Sequence, residues 1–198
     1  MQPFVEIMQE KPKAPVTDAN DLELAFHLAG VGLCISRDRI IQRCNKAFGE
    51  MFGYDAEELS GRSMECLYPS HAEFEHIGAR GIAIMKDSGA YSDERIMKRK
   101  DGSLFWCHVV GRALYRDQPF ACAVWSFEDL SVKRPVTVAL TMREREIAQF
   151  LILGKASKEI ASILKISTRT VEAHRARLHN KFGVRSATEL MSKLGGFT

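Results

Sequence analysis

The tightest constraint on the fold is the punctuation of the last sixty or so residues. Thr141 and Glu144 in "TMRE" form a capping box that opens a helix running to Gly154. Ser157 stands where it can cap "KEIASIL", in which Ile160, Ala161 and Leu164 make an apolar stripe. Ser167 caps "TRTVEAHRARLHNKF", Gly183 ends it, and "SATE" from Ser186 to Glu189 is a second capping box opening a final helix. Four short helices with marked ends leave no room for a sheet here, so the segment has to be an all-helical bundle. Within it, "SKEIASILKISTRTVEAH" reads as helix, short turn, helix, with the second helix exposed.

That second helix has an unusual surface. Setting Val171 at zero on a helical wheel, Leu178 and Phe182 fall within about 20° of it, one narrow apolar stripe. Arg169, Ala173, Ala176 and Asn180 fall opposite, flanked by Glu172 and Arg177. Six Arg, Lys and His side chains lie in the seventeen residues of "STRTVEAHRARLHNKFG", and alanines flatten the centre of the outward face. A charged helix face is most often simply solvated. Here the alanines remove bulk where base edges would approach, and cations stand at the sides where phosphates would lie, which favours DNA contact.

The charge balance agrees. From residue 137 onward eleven Lys and Arg face five Asp and Glu, a net +6, whereas residues 1–136 carry a net −3. A basic module is attached to something that is not basic. Residues 1–20, with three of the six prolines, read as a flexible lead-in, and "LSVKRPVTVAL" interrupts the pattern again at Pro135. The expected divisions are therefore a front domain over 21–130, a linker over 131–139 and the helical domain over 140–198.

The middle segment mixes strands and helices. "VGLCIS" and "RIIQRC" form a strand pair joined by "RDR"; "NKAFGEMFG" and "DAEELSG" are short helices ended by Gly53 and Gly61; a longer helix lies within Ser70 to Asp87. Three strands come after it, "AYSDERIMKRK", "SLFWCHVVGRALYR" and "PFACAVWSFEDL", the first two joined by the Asp-Gly turn of "KDGS" and the last two by "DQ" ahead of Pro119. This order predicts an α+β fold with one antiparallel sheet and its helices on one face. Ahead of it, Leu22, Leu24, Ala25, Phe26, Leu28 and Ala29 suit a short helix packing on the adjoining domain.

Residues 140–190 resemble the LuxR/FixJ-type, or GerE, helix-turn-helix family through "LTxRERE", Gly154, "KEIA", "TVEAHR", Lys181 before "FGV", and "SATEL". The resemblance implies a transcription regulator binding double-stranded DNA in the major groove as a homodimer on two half-sites, with the final helix contributing to dimer contact. Carried over by position, Arg169, Glu172, Ala173 and Ala176 face bases, and Lys158, Thr170, His174, Arg177 and Lys181 touch phosphates or position the helix. Arg169 suits guanine O6 and N7, and Glu172 suits a cytosine amino group.

Residues 22–130 resemble a PAS sensor domain through "CNKAF", Gly53 and Tyr54, "EELSGR", "KRKDGS" and "VWSFEDLS", which implies the five-stranded PAS sheet. Its expected interior lining is Phe48, Phe52, Met64, Met85, Trp106 and Trp125. Those side chains equally suit a plain core. The resemblance leaves the occupant open between haem, flavin, a small organic effector and nothing, with no cofactor the expected case. Light-sensing relatives carry a cysteine in "GRNCRFL"; here "GRSMECL" puts Met64 at that place. His76 or His71 would be the haem ligand, with a surface role the stronger reading.

No nucleophile elbow, Walker loop, H-E-x-x-H or H-x-E with C-x-x-C is present, so no enzyme is expected. Five separated cysteines without a C-x-x-C read as reduced core thiols, and no apolar run of about 20 residues implies a span. The overall expectation is a cytoplasmic one-component regulator, sensor in front and DNA reader behind. The competing expectations are a protein-interaction adaptor whose basic helix does not read DNA, and a haem-based gas or redox sensor version of the same regulator.

Overall fold

The computed structural model describes residues 19–134 and 136–195. The lead-in expected over 1–20 lies almost wholly outside the described residues. The element order is α1 (Ala19–Leu28), β1 (Gly32–Arg37), β2 (Ile40–Cys44), α2 (Lys46–Phe52), α3 (Ala56–Leu59), α4 (His71–Ser88), β3 (Ala90–Lys98), β4 (Leu104–Ala113), β5 (Ala123–Asp129), α5 (Met142–Ile152), α6 (Ser157–Leu164), α7 (Thr168–Phe182) and α8 (Ala187–Gly195). The strands make one five-stranded antiparallel sheet in the order β2-β1-β5-β4-β3. This is the expected α+β architecture followed by the expected four-helix segment.

Local chemistry accounts for the joints. Asp38 and Arg39, both at positive φ (48° and 63°), form the two-residue turn between β1 and β2. The side chain of Asn45 holds three backbones together: its carbonyl accepts from Leu33 and Phe48, both at 2.9 Å, and its amide donates to Phe26 and Val31 at 3.0 and 2.9 Å. In "KDGS" the Asp101 carboxylate accepts from the Ser103 amide at 2.9 Å, and Gly102 takes positive φ. The link after β4 is longer than "DQ" predicts. Residues 114–122 form a loop, closed by Leu114 N–H donating to Cys122 O at 2.9 Å, and β5 starts only at Ala123.

Strand alternation divides the interior in two. Tyr91, Met97, Phe105, Cys107, Val109, Trp125 and Phe127 face α2, α3 and α4 and build the first core with Phe48, Phe52, Leu59, Leu67, Phe74, Ile77 and Met85. Ile96 and Trp106 point the opposite way and join Leu130 and Leu140 to the core of α5 to α8. The sheet is thus covered on both faces, by its own helices on one side and by the linker and helical domain on the other.

Two helix expectations are corrected. The leucines of α1 do not pack: Leu22, Leu24 and Leu28 are exposed, and α1 is tied down instead by Asn45 and by Arg43, which pairs with Glu23 and lies over the half-buried Phe26. Ser157 is the first residue of α6 and not its cap; Glu159 accepts from the Ala156 amide at 2.8 Å, leaving the Ser157 hydroxyl for another partner.

Candidate nucleic-acid interface

Helix α7 is seated by Val171 and Leu178, both fully buried against α5 and α6. Its entry is set by Lys165 in the left-handed region (φ 52°) and by the Ser167 hydroxyl, which accepts from the Thr170 amide at 3.0 Å. With those two contacts fixing rotation about the helix axis, Arg169, Glu172, Ala173, Ala176, Arg177 and Asn180 are all exposed together. The face is flat at its alanines and basic at its rims. The front domain leaves it open, because the sheet domain meets α5 and Leu194 of α8 and not these α7 residues.

The positions assigned to phosphate contact separate into two kinds. Lys158 and Arg177 are exposed and free to reach a polyanion. Thr170 lies 2.8 Å from the Ser167 hydroxyl as part of the cap. Lys181 is bound inside its own domain, donating to the buried Glu144 carboxylate at 2.7 Å and to Ala139 O at 3.0 Å. His174 is half-buried, with Nδ1 lacking a hydrogen-bond partner. Burial, then the Arg177 charge, lower its pKa, so the imidazole is neutral at pH 7.

Arg175, which neither the apolar stripe nor the outward face singles out, carries weight here. Its Nη1 donates to the Ser157 hydroxyl at 2.7 Å and lies 3.6 Å from the Glu172 carboxylate, joining α7 to the start of α6 while partly neutralising the acid. Nothing local signals this, since the partner is eighteen residues away. The one hint is a serine that the helix does not need as a cap.

In the sheet domain the expected interior set is split. Phe48 and Phe52 are packed solid with Phe127 and Phe105 at ring separations of 4.8 to 5.7 Å, and Met85 is fully buried in the same core. Met64 and Trp125 line a small cavity of about 20 Å³ with Arg39, Tyr68, Tyr91 and Arg95. Trp106 is a correction: one residue out of phase with Phe105, it lies on the other side of the sheet against Leu140 and Leu194. The two candidate haem ligands also face away from the cavity. His71 is exposed with Nδ1 2.9 Å from Glu65, and His76 lies 3.5 Å from Glu146 of α5. Burial raises the thiols of Cys34, Cys44 and Cys107, which stay protonated in the core.

The two halves meet through charges as well as apolar contact. Arg145 of α5 pairs with Glu73 at the start of α4, Nε donating at 3.0 Å, and Gln149 donates to Asp93 of β3 at 2.9 Å. Arg80 of α4 lies 5.3 Å from the ring centroid of Phe150. Among the described residues no group of three or more His, Cys, Asp and Glu could hold a metal ion, and no helix is long and apolar enough to cross a membrane.

Comparison with known proteins matches both halves. The profile of the "Bacterial regulatory proteins, luxR family" covers residues 138–194, and that of the PAS domain covers residues 29–131. The sensor protein TdiS of Thauera aromatica is 32% identical over 157 residues, 79% of this chain and 26% of that protein. The chain spans about a quarter of the length of the curated relatives TdiS and TdiR. The PAS domain of a LuxR-family transcriptional regulator from Burkholderia thailandensis, solved in complex with ethanol, is 55% identical, with a TM-score of 0.54, covering 55% of this chain and 96% of that one. The Vibrio cholerae VqmA dimer without target DNA shares the fold at 22% identity and a TM-score of 0.54, over 90% of this chain and 88% of that one. With a PAS sheet, a helix-turn-helix bundle and a match to each in this order, the chain belongs to the luxR family of bacterial regulatory proteins, as a member whose helix-turn-helix follows a PAS domain.

Proposed function

We propose that this chain is a sequence-specific DNA-binding transcription regulator, acting in the cytoplasm without catalysis of its own, and that the PAS domain biases its hold on DNA. The observation that carries the reading is the outward face of α7, alanine-centred, rimmed by cations and left open by the front domain. Arg169 and Glu172 are the base readers, with Ala173 and Ala176 permitting close approach. Lys158 and Arg177 supply phosphate attraction; Thr170, His174 and Lys181 hold the helix in place. Two copies on two half-sites are the arrangement that the luxR-family match supports. In α8, Leu190 and Leu194 are turned into the chain's own core with Met191 packed against it, so dimer contact falls to the exposed side near Thr188 and Glu189. The working division is sensor over 21–130, linker over 131–139 and reader over 140–198. Since the Burkholderia relative held ethanol in its PAS domain, a small molecule is a natural signal for this one.

Fluorescence anisotropy of the full chain on selected and random duplexes, over a range of salt, tests the function. A regulator binds the selected duplex far more tightly, and its affinity for both falls steeply with salt. Equal and weak binding to both leaves the basic helix as a protein-contact surface.

A further inference from the structure

The polar wall of the small PAS cavity carries more positive charge than it balances. Asp93 is 7% exposed at its side chain and serves two guanidiniums: Arg95 Nε donates to Oδ1 at 2.7 Å and Arg80 Nη2 to Oδ2 at 2.7 Å. The Arg95 side chain is itself only 4% exposed. Its Nη1 donates to the Tyr68 hydroxyl at 2.8 Å, while Nη2, 2.6 Å from Asp93 Oδ1, makes no hydrogen bond although it is buried. Buried cations are stable when paired and fully hydrogen-bonded; here one carboxylate is divided between two of them, and Arg95 Nη2 meets that carboxylate without making a hydrogen bond.

The opposite wall is apolar, made by Met64, Ile77, Phe120 and Trp125. The outer wall is a third guanidinium. Arg39, reaching from the β1–β2 turn, lies 3.1 Å over the Phe74 ring and donates to Phe74 O at 2.5 Å and to the exposed Glu75 at 3.2 Å. It fits because α4 has Gly78 there; a Cβ at 78 would stand 2.6 Å from Arg39 Nη1. With Arg39 in place the cavity is the size of one water. Arg39 occupies the space over Gly78, so its rotation outward from the surface turn would vacate that space beside the cavity.

We propose that this cavity binds a small organic carboxylate, its carboxylate on Arg95, its carbon chain against the apolar wall and Arg39 closing over it. This rests on the PAS domain being the sensor of a DNA-binding regulator. The route outward is short. Asp93 Oδ2 also accepts from the Tyr91 hydroxyl at 2.6 Å and from Gln149 of α5 at 2.9 Å. A second carboxylate on Arg95 competes with Asp93 and changes the acceptor that Gln149 holds, so occupancy alters how α5 sits on the sheet domain.

The test titrates the purified full chain with acetate, propionate, butyrate and benzoate, each against its matched alcohol and inorganic phosphate at constant ionic strength, following thermal midpoint and tryptophan fluorescence. At least one carboxylate binds saturably, its alcohol binds at least tenfold more weakly, and Arg39→Gln weakens the carboxylate several-fold. Arg95→Gln abolishes it; because that variant also disturbs Asp93, Arg39→Gln on the surface turn stands as the independent check. Alcohols binding as tightly as acids, phosphate binding alone, no response to any carboxylate, or an unchanged affinity in Arg39→Gln each overturns the site. DNA anisotropy on the same samples keeps the outcomes apart: DNA binding without a carboxylate response removes the ligand and leaves the regulator, and a carboxylate response without sequence-selective DNA binding does the reverse.

Discussion

Lys181, expected to touch phosphate or to position the helix, is paired with Glu144 inside its own domain. Glu144 caps α5 through the Thr141 amide at 2.8 Å and is buried, with the Lys181 ammonium 2.7 Å away. Burial pushes its pKa up, but Lys181 and the Thr141 amide outweigh that and hold it below the usual carboxylate range. Lys181→Ala strands a buried carboxylate, so the helical domain loses about 1–3 kcal/mol in denaturant unfolding. A carboxyl with a depressed folded pKa contributes stability that is complete above its unfolded value and disappears as pH falls through the folded one. Lys181→Ala should therefore flatten the loss of stability on acidification below about pH 4.3, the ordinary Glu value. Were Lys181 only a phosphate contact, the variant would keep wild-type stability and lose DNA affinity alone. Glu172 behaves differently, being exposed and 3.6 Å from Arg175. With Glu172 as a base reader, as proposed, Glu172→Ala should raise affinity for random duplexes several-fold while the ratio of selected to random falls; no change in either measurement would make Glu172 merely solvated.

At the scale of elements, Trp106 is the informative residue. It is buried on the outer face of the sheet, where its ring joins Ile96 and Leu130 to Leu140 and Leu194. Trp106→Ala should destabilise by about 3–5 kcal/mol, the range for a buried aromatic truncated to alanine. The emission of the remaining Trp125, whose Nε1 donates to Ser36 at 2.9 Å on the inner face, should stay unchanged in the folded variant. A shifted Trp125 spectrum would place the two rings in one compartment after all. Helix ends and the succession of elements along the chain were legible because caps, left-handed glycines and apolar period are local: Thr141 with Glu144, Ser167 and Gly183 each act within a turn. The face of Trp106 was not legible, because strand alternation fixes only that neighbours point opposite ways and not which way is inward. The same limit hid the exposed apolar side of α1, whose period predicts a partner without saying that Asn45 and Arg43 do the anchoring. In the site, the outward face of α7 followed from period alone, whereas Arg175 and the Arg39–Gly78 fit depend on residues eighteen to thirty-nine positions apart.

For the whole molecule, the decisive surface is the one between α5 and the sheet domain. Arg145 and Glu73 are nearly buried there, 12% and 5% exposed at their side chains, and Ser70 donates to the same Glu73 carboxylate at 3.0 Å. Gln149 on Asp93 and Arg80 near Phe150 continue the contact toward the cavity. An interface of this kind should couple the unfolding of the two halves as long as its charges are matched. Arg145→Glu sets a carboxylate against Glu73 inside that contact, a change of roughly 3–5 kcal/mol by the usual range for a broken buried pair. Each half has its own core, so the expected result is separation without global unfolding: two calorimetric transitions in place of one, and a larger radius of gyration in solution scattering. The α7 face is remote from Glu73 and stays exposed in either arrangement, so nonspecific DNA affinity should change little. What should be lost is any dependence of DNA affinity on a ligand in the PAS cavity, because Asp93 no longer holds Gln149. A single transition with an unchanged radius would mean that the apolar packing of Ile96, Trp106 and Leu140 alone holds the halves together.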